Sequence, residues 1–170
     1  GMQIGNSDLA RVIVSRIVEG AEKLKVKTVI SPECGHAYTA LRWEGANLVG
    51  RPFTFKVQHI VEVLGEFQEL GLLKTEGFEK DRLTFHDPCQ LARRGGVIQP
   101  QRNLLNMVAK NFVEMPDAGY MNWCCGGGGG NVWLEGWGKK GVNVIRLEQI
   151  QQAKPTTVAV ACPFCMVMFE

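Results

Sequence analysis

Two adjacent cysteines stand directly in front of five consecutive glycines in NWCCGGGGG, residues 122–130. Adjacent thiols cannot close an unstrained bridge on each other, and five glycines carry a large ordering entropy, so neither feature belongs to a disulfide scaffold. Three more cysteines extend the pattern: Cys89 in HDPC, and Cys162 and Cys165 in CPFC. Five thiols carried by three turns can supply one all-thiolate site. Thiolates are soft ligands that select iron–sulfur clusters, zinc or copper(I), and each must lose its proton to bind. Zinc takes four ligands, usually from two knuckles, whereas this chain offers one C-x-x-C, a doublet and a distant fifth thiol. That set favours iron–sulfur. A cluster also accounts for the glycines, because backbone N–H groups close to anionic sulfurs stabilise them, and glycine permits both the approach and the dihedrals of an anion-binding nest. Gly126, Gly127 and Gly128, next to the doublet, are the expected contributors.

The elements that must position these turns alternate. Residues 7–24 read as a helix, with Ser7 as N-cap and Leu9, Val12, Ile13, Ile17 and Leu24 at helical spacing. KVKTVIS reads as a buried strand ending at SPECGH, where Pro32 and Gly35 break the pattern. Residues 57–70 read as a second helix with Ile60, Val61, Leu64 and Phe67 on one face. RLTFHDPC is a strand running into a cysteine turn, and QRNLLNMVAKNF is helical. A weak strand or loop follows from Val113 to Tyr120, then a helix over residues 142–153. TTVAVACPFC is a last apolar strand ending in the C-x-x-C turn. The expected fold is therefore α/β, a mostly parallel sheet with flanking helices. In such sheets ligands gather at the carboxyl ends of strands, so Cys89, Cys162 and Cys165 would converge, with Cys34 near them. KTVISPECGHAYTAL also echoes TTVAVACPFCMVMF, with Ser31 in the place of Cys162 and Cys34 in that of Cys165. The echo implies two related half-domains, the first (residues 7–75) degenerate and the second (residues 83–170) carrying the complete motif.

Bulk properties narrow the class. The chain has 170 residues, 45% of them hydrophobic, enough for a single domain with a proper core. Net charge is +2 with charged residues at 21% and signs interspersed, so no nucleic-acid partner is expected. No apolar run is long enough to insert into a membrane, and six cysteines without a secretory signal read as cytosolic metal or redox chemistry. Gly1-Met2 reads as the scar of a cleaved expression tag, and the chain as an excised fragment of a longer iron–sulfur protein.

HDPCQLARRGG, NWCCGGGGG and ACPFC, in that order and spacing, resemble the cysteine-rich CCG domain of heterodisulfide reductase subunits and related iron–sulfur oxidoreductases. The resemblance covers residues 26–170, and SPECGHAY looks most like subunits found in membrane complexes of sulfate-reducing and sulfur-oxidising microbes. It implies that Cys89, Cys124, Cys125, Cys162 and Cys165 hold a 4Fe-4S-type cluster, in some relatives a non-cubane one using all five thiolates and acting directly on a disulfide. It also implies an electron-donating iron–sulfur or membrane subunit as partner, a disulfide or thiol-linked substrate, a role in anaerobic energy metabolism, and a place at the inner face of the membrane through partner subunits. Two departures limit the likeness: the first motif is reduced to Cys34, and the ferredoxin-type cysteine run that feeds electrons in many relatives is absent from these residues. Thiolate clusters are oxygen-sensitive, so a protein prepared in air can be empty.

Other residues carry both plain and chemical readings. His86 and Cys34 are the candidate catalytic groups, His86 as an acid that protonates a leaving thiolate and Cys34 as a redox thiol or further ligand. His36 admits the same acid role or a surface one. Arg93 and Arg94 read as ordinary loop charges, and His59 as structural. Trp123, Trp133 and Trp137 are expected to shield the site from water. A non-catalytic alternative fits the same cysteines: a module in which a cluster or zinc holds a surface for docking partner subunits.

Overall fold

The computed structural model describes residues 5–75, 79–134 and 140–170. Helix α1 (Ser7–Lys23) is capped by Asn6, one residue before the expected Ser7; the Asn6 Oδ1 accepts the Leu9 N–H at 2.9 Å. Its buried stripe is Ala10, Val14, Val18 and Ala21, while Leu9, Val12, Ile13, Ile17 and Leu24 face outward. Both stripes have helical spacing, and the one with smaller side chains lets α1 lie close to α3 (Gly45–Val49). Strand β1 (Thr28–Ser31) ends at SPEC, and a helix absent from the sequence reading, α2 (Gly35–Arg42), follows. Here Gly35 opens a helix instead of breaking the chain, with extended Cys34 as its N-cap.

The expected helix over 57–70 divides. Lys56–His59 is strand β2, paired in parallel with β1 so that Ser31 lies opposite His59, and α4 (Ile60–Glu69) begins after it. His59 makes the division: its Nδ1 accepts the Val61 N–H while Glu62 Oε2 accepts the His59 N–H at 2.7 Å, a reciprocal cap. The structural role expected of His59 is thus present. A similar division shortens the helix after Pro100. It is α5 (Gln99–Val108), and Ala109–Phe112 becomes strand β4.

Strand β3 (Glu79–His86) lies between β4 and β5 (Thr157–Val160), parallel to both. Leu83, Thr84, Phe85 and His86 are all buried, as a central strand covered on both faces requires. Instead of a single mostly parallel sheet there are two small parallel sheets, β1-β2 and β4-β3-β5, with helices around them. Each set of strands satisfies its own pairing, and the sheets are joined by packing: α2 against the π-helical turn Gln90–Arg94, and α4 against α5. The first contact is intimate, because a Cβ on Gly35 would lie 2.7 Å from the Leu91 amide nitrogen. Glycine there brings the first sheet's helix against the Cys89 turn. The two echoing stretches both fold as strand, turn and helix, the second being β5, CPFC and α7 (Pro163–Phe169). Among the described residues no helix is long and apolar enough to cross a membrane.

Candidate metal centre

Three strand ends deliver the cysteines. β3 stops at His86, and Asp87-Pro88 turns the chain so that Cys89 opens the π-helical turn. β5 stops at Val160, and Cys162 caps α7 with Pro163 in its first turn, which places Cys165 one turn further on the same side. The loop after β4 runs through a 3₁₀ turn at Gly119–Met121 to Cys124 and Cys125. One cavity is lined by Cys89, Cys124, Cys125, Cys162 and Cys165 together with Gly35, His36, Pro88, Gln90, Gly128 and Phe164. The five sulfurs thus converge at the carboxyl edge of the second sheet. Cys34 is half-buried beside this cavity without lining it, its Sγ 3.9 Å from His36 Nδ1.

A buried network aligns two of the loops. Asp87 is fully buried; its carboxylate takes both Arg102 guanidinium nitrogens at 2.8 Å and the Gly119 N–H at 2.7 Å. The Asp87 carbonyl accepts the Asn122 side-chain amide at 2.6 Å. Arg93 donates to the carbonyls of Tyr120 and Asn122, and Arg94 pairs with Glu44, so both arginines are structural. Asp87 and Asn122 therefore tie the Cys89 turn to the chain entering the doublet.

The thiols act on one another in a chain. Hydrogen bonds from Cys125 and Cys89, helped by the Gly126 and Gly128 amides, hold Cys124 far below the ordinary thiol range. Cys125 is pushed up to about 11 by its bond to Cys124, and Cys89 is raised by the same partner. Cys162 is lowered to about 6 by hydrogen bonding from the Cys165 side chain and from the Cys165 and Phe164 amides, while Cys165 is raised by Cys125 and then Cys162. Hydrogen bonding among the thiols thus favours thiolate character at Cys124 and Cys162 and disfavours it at Cys89, Cys125 and Cys165. A metal that takes all five must displace thiol protons, as thiophilic cations do.

Two glycine amides reach the sulfurs of the doublet. The Gly126 N–H donates to Cys124 Sγ at 3.3 Å, and the Gly127 amide acts on Cys125. Positive φ is confined to Gly126 (+93°), Gly129 and Gly130 in this run; Gly127 has φ −85°. A Cβ on Gly126 would also lie 3.2 Å from the Asn143 backbone nitrogen. Gly126→Ala is therefore expected to lose about 1–2 kcal/mol of stability in the metal-free protein and to hold iron less well, from left-handed strain and displacement of the amide from Cys124. Denaturant titration reads the first effect and iron analysis the second; iron retention equal to wild type would remove the Gly126 amide from the site.

His86 is fully buried, and burial, with the nearby Arg146 charge, pushes it down to about 4. One of its ring nitrogens lies within 4.8 Å of Cys125 Sγ and Cys165 Sγ. His36 lines the cavity, and burial lowers it too. Trp123 is exposed and Trp133 is 74% exposed, its ring meeting Phe164 edge-on at 5.7 Å, so Phe164 is the aromatic that reaches the cavity wall. Trp137 lies outside the described residues. Arg146, on α6 (Val142–Gln152), escaped the sequence reading: its side chain is completely buried, in a helix whose composition reads as solvated. No signal in VNVIRLEQIQQ announces it.

These residues fit an iron–sulfur cluster. Five thiols converge, glycine amides face the two central sulfurs, and the buried His86 Nε2, Gln90 Oε1 and Arg146 Nη2 have no protein partner among the described residues. A buried guanidinium with no bonded carboxylate suits an anionic occupant.

The cysteine-rich domain family designated CCG matches residues 83–170. The chain is 33% identical to the EtfAB:quinone oxidoreductase of Syntrophomonas wolfei, with 98% of this chain and 24% of that protein aligned. It is 31% identical to the probable iron-sulfur-binding oxidoreductase FadF of Bacillus subtilis, over 98% of this chain and 23% of that protein. It is 32% identical to a subunit of the dihydromethanophenazine:CoB–CoM heterodisulfide reductase of Methanosarcina acetivorans, over 96% of this chain and 40% of that relative. The chain spans about a quarter of the length of the first two relatives. No solved structure matches it.

Proposed function

The chain belongs to the CCG family of cysteine-rich domains, and from that premise we propose that it serves as the disulfide-handling domain of an iron–sulfur oxidoreductase. In this reading Cys89, Cys124, Cys125, Cys162 and Cys165 hold a 4Fe-4S-type cluster, cubane or non-cubane. The domain takes electrons from an iron–sulfur or membrane partner and delivers them to a disulfide or thiol-linked substrate in anaerobic metabolism. The observation that carries the reading is the convergence of all five thiols on one cavity. When bound, the cluster supplies one-electron chemistry at iron that accepts thiolates. The protein's own residues do the rest: the Gly126–Gly128 amides offset negative charge at the sulfurs, and Phe164 and Gly35 close the cavity walls.

A groove of about 280 Å³ gives a substrate its approach. It runs between the carboxyl ends of β1, β2 and β5, with Pro32, His59, Ile60, Val160 and Cys162 in its walls. Cys162 lines both the groove and the thiol cavity, so a sulfur entering from solvent meets the site at that residue. The buried His59 ring, with the Glu33 backbone beside it, belongs to the same wall. The heterodisulfide reductase relative is named as one subunit of its enzyme, and the outward row Leu9, Val12, Ile13 and Ile17 on α1 favours a partner surface here too. That row also keeps the second reading open, a metal-stabilised docking module without catalysis.

Anaerobically reconstituted protein, reduced with dithionite and freed of excess, separates the two. The catalytic reading expects one equivalent of bis(2-hydroxyethyl) disulfide to yield two thiols for every two electrons the protein gives up, with two protons taken from solvent. Reduced protein that stays reduced in the presence of the disulfide supports the docking module instead.

A further inference from the structure

Arg146 is a fully buried cation with an incomplete set of partners. Its Nη1 donates to the Pro116 carbonyl at 3.0 Å and to Gln149 Oε1 at 2.6 Å, and its Nε donates to His86 Nδ1 at 3.2 Å. Its Nη2 has no partner, and no carboxylate among the described residues bonds to it. The nearby acids are engaged elsewhere, Asp87 with Arg102 and Asp117 with Gln149. Burial disfavours the guanidinium charge, and Asp87, Asp117 and Cys165 are the groups near enough to offset that without bonding to it. Cys125 and Cys165 hold their sulfurs within 4.8 Å of one of the His86 ring nitrogens.

The hydrogen bond from Arg146 decides what His86 can do. Guanidinium only donates, so Nδ1 must accept, and a neutral imidazole then carries its proton on Nε2. His86 Nε2 is buried and unpartnered in the protein, and a ring nitrogen lies within 4.8 Å of both cysteine sulfurs. A protonated nitrogen has no free lone pair. The His86, Cys125 and Cys165 triad, which by distance alone could ligate a metal, is in this state two thiols and a donor.

We infer that Arg146 is a positioning residue that fixes His86 as an Nε2–H donor toward Cys125 and Cys165, and that the pair raises the reduction potential of the centre these cysteines hold. The last step rests on the proposed cluster; the first does not. A hydrogen-bond donor and a buried positive charge both favour the more negative, reduced state, so both act in the same direction. This role replaces the acid role expected of His86, since a neutral ring protonated only at Nε2 would have to become imidazolate to give that proton away.

Nitrogen-15 spectra of the metal-free, reduced protein test the first step without a cluster. His86 should show the Nε2–H tautomer alone, and Arg146→Met should let the Nδ1–H form appear while the remaining spectrum stays folded. Reconstituted Arg146→Met should keep its iron but titrate at a lower potential, with at least a tenfold smaller reduced-to-oxidised ratio at fixed potential, or ~59 mV for one electron. Arg146→Lys should recover part of the potential by restoring charge without restoring the tautomer. His86→Gln, which keeps an N–H donor, should retain iron. A wild-type Nδ1–H tautomer, a full loss of iron in His86→Gln, or an unchanged or higher potential in Arg146→Met overturns the inference. Wild-type protein that takes up no iron would defeat the proposed function, and the tautomer result would still judge the Arg146–His86 bond.

Discussion

Cys125→Ala is expected to abolish cluster assembly in an anaerobic preparation while leaving the metal-free fold in place. Cys125 is buried between Cys124 and Cys165, the middle sulfur in the chain of thiol hydrogen bonds that runs from Cys89 to Cys162. Its loss leaves Cys89 and Cys124 on one flank and Cys162 and Cys165 on the other, and water is a poor substitute for a thiolate in such a site. The decline in iron retention should exceed the ~10–100-fold that altering an outer partner of a ligand costs. Stability of the metal-free protein should change by only about 1 kcal/mol, the ordinary scale for a single substitution. Cys34→Ala is the matched control: Cys34 does not line the cavity, so iron and sulfide should remain at the wild-type level. Equal iron content in Cys125→Ala and wild type would remove Cys125 from the ligand set.

Asp87→Ala should produce the largest loss of stability. The Asp87 carboxylate is wholly buried and holds Arg102 through two bonds of 2.8 Å, with a third bond from the Gly119 N–H. Removing one member of a buried pair costs about 3–5 kcal/mol, because the other charge stays behind. Arg102 retains Glu114 at 2.6 Å, which places the expected loss near the lower end, about 3 kcal/mol. That corresponds to ~6–12 °C in melting temperature for a chain of this size. The same change frees the Cys89 turn from the segment entering Cys124, so cluster retention should fall with the fold. A loss below ~1 kcal/mol, as for an exposed pair, would show that Asp87 is not the brace.

The chemistry of the site was more legible in the sequence than the architecture. Cysteine spacing and the glycine run name residues directly, and the cavity gathers all five sulfurs. Strand ends at His86 and Val160 were readable because apolar runs stop at Asp-Pro and Cys-Pro turns. The partition into two sheets was not, because pairing between distant strands leaves no mark on local periodicity. Local pattern also misled at α1, where two apolar stripes compete and only packing chooses Val14 and Val18 over Ile13 and Ile17. At 56–59 and 109–112 the residues fit a helix as well as a strand, and pairing with β1 and β3 decides. Arg146 was invisible for a different reason: two of the partners that let it be buried, Pro116 and His86, lie 30 and 60 residues away in the chain.

Iron and acid-labile sulfide, measured together on protein isolated or reconstituted without oxygen, test most directly whether five thiolates hold one iron–sulfur cluster. About four irons and a comparable amount of sulfide per chain are expected, as a 4Fe-4S-type cluster requires, with both lost in Cys125→Ala and kept in Cys34→Ala. One zinc per chain without sulfide, or iron that persists unchanged in Cys125→Ala, would contradict it.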